Sequence, residues 1–267
     1  MKRLIPFLSA LVLPVVASAQ DIDPSGGYPE AYAARPLVLD AGMVQTGLDF
    51  GLGLNKGRMA KDMTLGVGAQ WGVVRNFELG LVIDAMKYSS GLSGTKFGGF
   101  DLGARYRFID MLAAELHLYA PGDRTFIDSF GKQRVGMLLG VPFQWIAVRD
   151  MLKVHAALNF DLGFVADDYP TSGGAMPQFT LGLQYGLSYN PIRQLFLDLT
   201  FGTDFGLRPS AGSFGDRVAI PVALTVGGTL VRGRLDLYAS FALDNLKPAV
   251  GNAFDGKTVG IGGRMRF

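Results

Sequence analysis

The chain has 267 residues, 49% hydrophobic and only 18% charged, with a formal net charge of +2 and no run of Lys or Arg, which excludes a disordered chain and an electrostatic nucleic-acid binder. It contains no cysteine, which excludes a disulfide scaffold and thiolate metal ligands, and its 37 glycines follow no three-residue period, which excludes collagen.

Residues 1–19 begin with Lys2 and Arg3, continue through an apolar stretch from Leu4 to Val16 and end in Ala17-Ser18-Ala19, the pattern of a secretory signal peptide. The stretch carries Pro6 and Pro14 and is too short to anchor in a bilayer as a helix. Residues 20–38 come next as an N-terminal periplasmic segment. Its Tyr28, Tyr32 and Arg35 leave two placements open, a loose tail or a segment folded up into a pore.

From residue 39 to 267 the pattern is period two, with one apolar face and one of polar residues or glycine; 62–73 shows it most clearly. It recurs in 77–86, 100–108, 133–145, 152–164, 178–189, 195–207, 217–230 and 235–244, and in shorter or glycine-rich form in 43–54, 113–120 and 258–267. The count is twelve strands. Connections alternate between short ones near residues 74–76, 109–112, 147–150, 190–194 and 231–234 and longer ones between them, the asymmetry of tight periplasmic turns and longer external loops. Pro142 and Pro221 face inward and cannot donate to the ladder, so each predicts a bulge.

A soluble sandwich would place the apolar face inside, but three features favour the reverse. The strands run to eleven or more residues, the length that a tilted bilayer crossing needs. The polar face carries almost no lysine, unlike a solvated sheet. Aromatic residues gather at both strand ends, Trp71, Phe77, Phe108, Phe143, Trp145 and Tyr189 by the short turns and Phe50, Phe100, Phe164, Phe179 and Phe205 by the long ones. The expected fold is all-β: a closed antiparallel up-and-down transmembrane β-barrel of twelve strands, with the first strand paired to the last because hydrocarbon tolerates no open edge.

The final strand, Val259-Gly260-Ile261-Gly262-Gly263-Arg264-Met265-Arg266-Phe267, alternates apolar residues and ends on phenylalanine. It resembles the C-terminal assembly signal of Gram-negative outer-membrane β-barrels, with Val259, Ile261, Met265 and Phe267 as its apolar positions. The resemblance implies a place in the cell outer membrane, contact with its lipid and insertion by the barrel-assembly machinery. With the signal peptide and twelve spans, the chain is similar to the monomeric twelve-stranded channel class.

Function then rests on the lumen. Toward the long loops, Asp49, Asp62, Asp84, Asp101, Asp161, Asp204 and Asp244 face inward, opposed there by Arg134 and Arg217, which predicts a field that favours cations. Toward the short turns, Glu78, Arg105, Arg107, Glu115, Lys153, Asp198, Asp236, Arg264 and Arg266 form an expected ring of ion pairs, with Glu78 near Arg105 or Arg107, Arg107 near Glu115 and Asp236 near Arg264 or Arg266. Only His117 and His155 are histidines, both inward and one strand apart, so neither a shared metal nor a catalytic constellation is expected, and no cofactor. Two readings stay open: a channel for passive diffusion or uptake of small solutes, and a non-conducting structural or surface-interaction barrel. An outer-membrane hydrolase ranks below both.

Overall fold

The computed structural model describes residues 28–54, 62–89, 95–121, 134–165, 177–206, 218–231, 233–246 and 253–267. The signal-peptide reading of residues 1–19, the long-loop tips and Arg217 lie outside these, as do the side chains of Asp62 and Arg134.

Twelve long strands make the wall: β1 (Val44–Gly53), β2 (Asp62–Val74), β3 (Phe77–Ser89), β4 (Gly99–Ile109), β5 (Leu112–Pro121), β6 (Arg134–Val148), β7 (Leu152–Val165), β8 (Pro177–Ile192), β9 (Leu195–Gly206), β10 (Val222–Leu230), β11 (Leu235–Leu243) and β12 (Lys257–Arg266). Each pairs antiparallel with its sequence neighbours. The barrel closes where β1 meets β12, from Gln45 opposite Arg266 to Gly53 opposite Thr258. No edge is left open, as the period-two pattern required.

The burial pattern is inside out. Val67, Leu102, Leu158 and Ile261 on the outer face are 43–63% exposed, while Glu78, Arg105, Lys153, Asp198, Asp236 and Arg266 on the inner face are 6% exposed or less. An aqueous exterior would penalise this arrangement and a bilayer favours it, since a charge at the lipid-facing midplane costs roughly 2–4 kcal/mol. Trp71, Tyr106, Phe108 and Trp145 stand on the outer surface near the short turns, where an interfacial girdle belongs.

The short turns repeat one local solution. Asn76 and Asp150 follow Arg75 and Arg149 at φ 71° and 60°, a left-handed conformation that short Asn and Asp side chains tolerate. A β-bulge accompanies each of these two turns, between Gly72 and Val74 and between Ile146 and Val148.

The prolines behave differently from expectation. Leu112 pairs with Phe143 and Glu115 with Gly140 in one unbroken register, so Pro142 creates no bulge, and the ladder lapses only opposite Ala113 and Ala114. At Pro221 the strand likewise lapses between Ala219 and Val222 with its register against β9 unchanged. Small partners explain both cases, because the rings face Ala113 and Gly202 and have room without displacing the backbone.

A chain segment inside the barrel and its charged socket

Residues 28–39, for which a loose periplasmic tail and an inward position were both open, lie inside the barrel. Tyr28 and residues 31–39 are buried, with Ala33 and Arg35 at zero exposure. The segment carries one short helical turn, Tyr32–Ala34, and enters the wall through a tight turn closed by the Met43 N–H donating to the Asp40 carbonyl at 2.9 Å. Gly42 makes that turn possible, holding φ 84° where a side chain would be strained.

The segment crosses the lumen at its short-turn end and meets nearly every part of the wall. At one side the Arg35 guanidinium donates to both carboxylate oxygens of Asp236 on β11, at 2.6 and 2.7 Å, and to the Thr229 hydroxyl on β10 at 2.8 Å. A planar fork suits such bidentate pairing better than an ammonium would. In the middle the Tyr32 ring stacks on Phe196 of β9 with centroids 4.5 Å apart, and the Ala33 N–H donates to Asn190 Oδ1 on β8 at 2.8 Å. Asn190 is itself held by its amide donating to the Leu195 carbonyl, so the turn between β8 and β9 aims the acceptor. At the far side the Leu37 carbonyl accepts from Arg105 on β4 at 3.1 Å, the Leu39 N–H donates to Glu78 on β3 at 2.8 Å, and Leu37 and Val38 pack against Ala113 of β5.

Glycine in the wall makes room. A Cβ on Gly72 of β2 would collide with the Asp40 carbonyl oxygen, and one on Gly233 with the Tyr28 carbonyl oxygen. Gly72→Ala is therefore expected to loosen the segment while leaving the strands paired. Hydrogen exchange at the Ala33 and Leu39 amides should quicken at least tenfold, which corresponds to ~1.4 kcal/mol. Unchanged exchange there would show that the wall can shift to keep the segment seated.

The charges near the short turns are arranged around this segment. Arg105 bonds Glu78 at 2.9 Å and Glu115 at 2.8 Å, and Arg266 bonds Asp236 at 2.6 Å. Arg107 does not reach Glu115: it lies opposite Ala113, so its guanidinium turns to Asn76 and Asp110, while Arg105, directly opposite Glu115, takes the carboxylate. Arg264 lies over the Tyr238 ring at 4.6 Å. Lys153 sits 4.7 Å from the Tyr32 ring centre and donates to the Tyr32 carbonyl at 3.4 Å. The pairs fall into separate groups on β3–β5 and β10–β12, with the segment between them. Burial pushes the Tyr28 phenol up to about 12, against the pull of Arg266 and Arg35, so it remains protonated at neutral pH.

Asp198 accepts from the Ser188 hydroxyl and contacts His155 Nε2 at 3.0 Å. The carboxylate stands between serine and histidine, whereas nucleophilic catalysis needs the histidine in the middle. His117 contacts Asp101 at 2.8 Å. Among the described residues, no three His, Asp or Glu side chains are grouped to hold a metal ion.

Above the segment lies a cavity of about 40 Å³, floored by Tyr32 and Leu37 and walled by residues including Gln144, His155, Asn159 and Gln184. That is room for about three waters. The buried Gln144 Oε1 and Asn159 Oδ1 have no protein partner, which marks them as acceptors for such waters. Farther up, Asp49 accepts from the Tyr238 hydroxyl and Asp161 from that of Tyr119. Asp84 pairs with Lys87 at 2.7 Å, a base that strict alternation would have put on the lipid face. A register shift opposite Leu65 and Gly66 leaves Ala85 unpaired, and this bulge brings residues 84 and 87 to the same side. Among the described side chains, Lys87 joins Asp49, Asp84, Asp101, Asp161, Asp204 and Asp244 in the upper lumen, while Asp62, Arg134 and Arg217 fall outside that description.

No protein-family model and no curated protein matches the sequence. Solved structures do match the fold. The COG4313 outer membrane channel from Pseudomonas putida F1 superposes with a TM-score of 0.60 at 15% identity, covering 92% of this chain and 100% of that one. The NanC porin does so with 0.53 at 13% identity over 82% and 98%, and the KdgM porin with 0.50 at 12% over 83% and 99%. The fold is that of a twelve-stranded outer-membrane β-barrel.

Proposed function

We propose that the chain is an outer-membrane channel for passive diffusion or uptake of small solutes, with a preference for cations. The observation that carries the reading is the polar lumen, which runs from the upper aspartates to the cavity above Tyr32 inside an apolar exterior. Likeness in fold to an outer membrane channel and two porins supports it. Asp198, not His155, stands between the Ser188 hydroxyl and the imidazole, an order that does not suit nucleophilic catalysis, and an outer-membrane hydrolase ranks below the channel. Outer-membrane lipid would cover the exterior, and Val259, Ile261, Met265 and Phe267 would present the barrel to the assembly machinery.

One observation favours the second reading, a non-conducting barrel: the short-turn half of the lumen is filled by the chain itself. Planar-bilayer recording separates the two. Discrete current steps from the purified full chain, or from a full-length Arg35→Ala/Tyr32→Ala variant with weakened filling, are the expected result. Silence from both at every voltage would establish the structural reading.

A further inference from the structure

The segment across the lumen is held in an unusual way. It buries Tyr28, Tyr32, Leu37, Val38 and Leu39, with Tyr32 stacked on Phe196 and Leu37 and Val38 against Ala113. Its polar hold is incomplete: Tyr28 Oη and Asp40 Oδ2 on the segment, and Arg266 Nε in the socket, are buried without a partner. Buried unpartnered groups weaken the docked state relative to one in which water reaches them.

The emptied socket, in contrast, would keep its own charge pairs. Were Arg35 to leave, Asp236 would retain Arg266 at 2.6 Å and the Thr229 hydroxyl at 2.9 Å. Were Leu37 and Leu39 to leave, Glu78 and Glu115 would retain Arg105. Neither carboxylate group is stranded by departure, which is the condition under which a charged interface opens readily. Among the described residues the segment joins the wall through the turn at Asp40–Met43, at the short-turn rim, and it forms no part of a strand ladder, so it can swing out without unpairing a strand. In both arrangements the buried carboxylates of the socket thus keep a charged partner, as a two-state element requires.

We propose that residues 28–40 are a displaceable gate and that the charged lower lumen is their receptor, with Arg35 as the latch between Asp236 and Thr229. The proposal rests on the channel reading. Solutes pass when the segment has swung to the periplasmic side and stop when Arg35 is seated.

Single-channel recording tests this with the full chain and the Arg35→Ala/Tyr32→Ala variant, neither change touching a strand. The variant should show at least a tenfold larger open fraction at the same unitary conductance. A synthetic peptide of residues 28–40 added from the short-turn side should close it again, and the same peptide with Arg35→Ala should not. Equal open fractions in a conducting full chain and variant would overturn the gate and leave the channel intact; silence in both would overturn the channel reading itself. A second measurement uses the absence of native cysteine. In an Ala34→Cys chain, a bulky water-soluble maleimide should react only during open periods and then hold the channel open. Steady conduction with Cys unreacted would mean that solutes pass a seated segment, which overturns the gate.

Discussion

Arg105→Ala is expected to lower the stability of the barrel by about 3–5 kcal/mol, the usual effect of removing one partner from a buried charge group. The guanidinium bridges the two carboxylates at its side, Glu78 at 2.9 Å and Glu115 at 2.8 and 3.0 Å, and all three side chains are buried. Without it two like charges face each other in a site poor in water. The thermal midpoint should fall on the order of 10 °C for a chain of this size. Adding Glu78→Gln and Glu115→Gln to the variant should restore most of the loss, since neutral amides need no counter-charge. Arg107→Ala is the control: it bonds the Asn76 side chain and the exposed Asp110 and stands outside the Glu78–Arg105–Glu115 group, so its loss should be clearly smaller than that of Arg105→Ala. An Arg105→Ala barrel that melts with the parent would show that the group is hydrated and its charges independent.

The pairing of Arg105 with Glu115 depends on a register that the sequence only half reveals. The twelve strands, their faces and the closure of β1 on β12 come from alternation and from the prohibition of open edges in lipid, and these are the parts legible in residue order. Whether Arg105 or Arg107 meets Glu115 depends on a bulge near the turn at residues 109–112, which shifts pairing without altering the apolar pattern. The same blindness hid Lys87, because the unpaired Ala85 reverses the face of the residues after it, and strict period two ends the strand too early. The prolines misled in the opposite direction: their missing N–H predicts a bulge, but the decisive fact is the small residue across the strand pair. For the lumen segment, Tyr28, Tyr32 and Arg35 were visible as unusual residues for a loose tail. Their receptor was not, since Asp236, Thr229, Asn190 and Glu78 are scattered over the chain and converge only when the barrel closes. Gly72 and Gly233 give no usable signal, since among 37 glycines nothing in residue order singles them out, and only the folded chain brings Asp40 and Tyr28 against them.

Converting Asp49, Asp161 and Asp204 together to Asn is expected to abolish the cation preference of the open channel. These three are better targets than Asp84 and Asp101, whose charges are locally answered by Lys87 at 2.7 Å and His117 at 2.8 Å. Asp49 and Asp161 accept from tyrosine hydroxyls, which orient their carboxylates on the upper lumen wall. Asp204 lies opposite Gly182, and its Oδ1 takes the space that a side chain there would fill. A wall of low dielectric focuses such a field, so the parent should pass cations more readily than anions across a salt gradient. Screening sets the range over which this holds: with a Debye length of about 10 Å at 0.1 M and about 3 Å at 1 M, the preference should be marked in dilute salt and weak in concentrated salt. Reversal potentials measured on the Arg35→Ala/Tyr32→Ala background, where openings are frequent, give the reading directly. The triple Asn variant should move the potential toward zero at 0.1 M and scarcely alter it at 1 M. Anion preference in the parent, or an unmoved potential in the triple variant at 0.1 M, would show that the upper aspartates wet the lumen without selecting what crosses it.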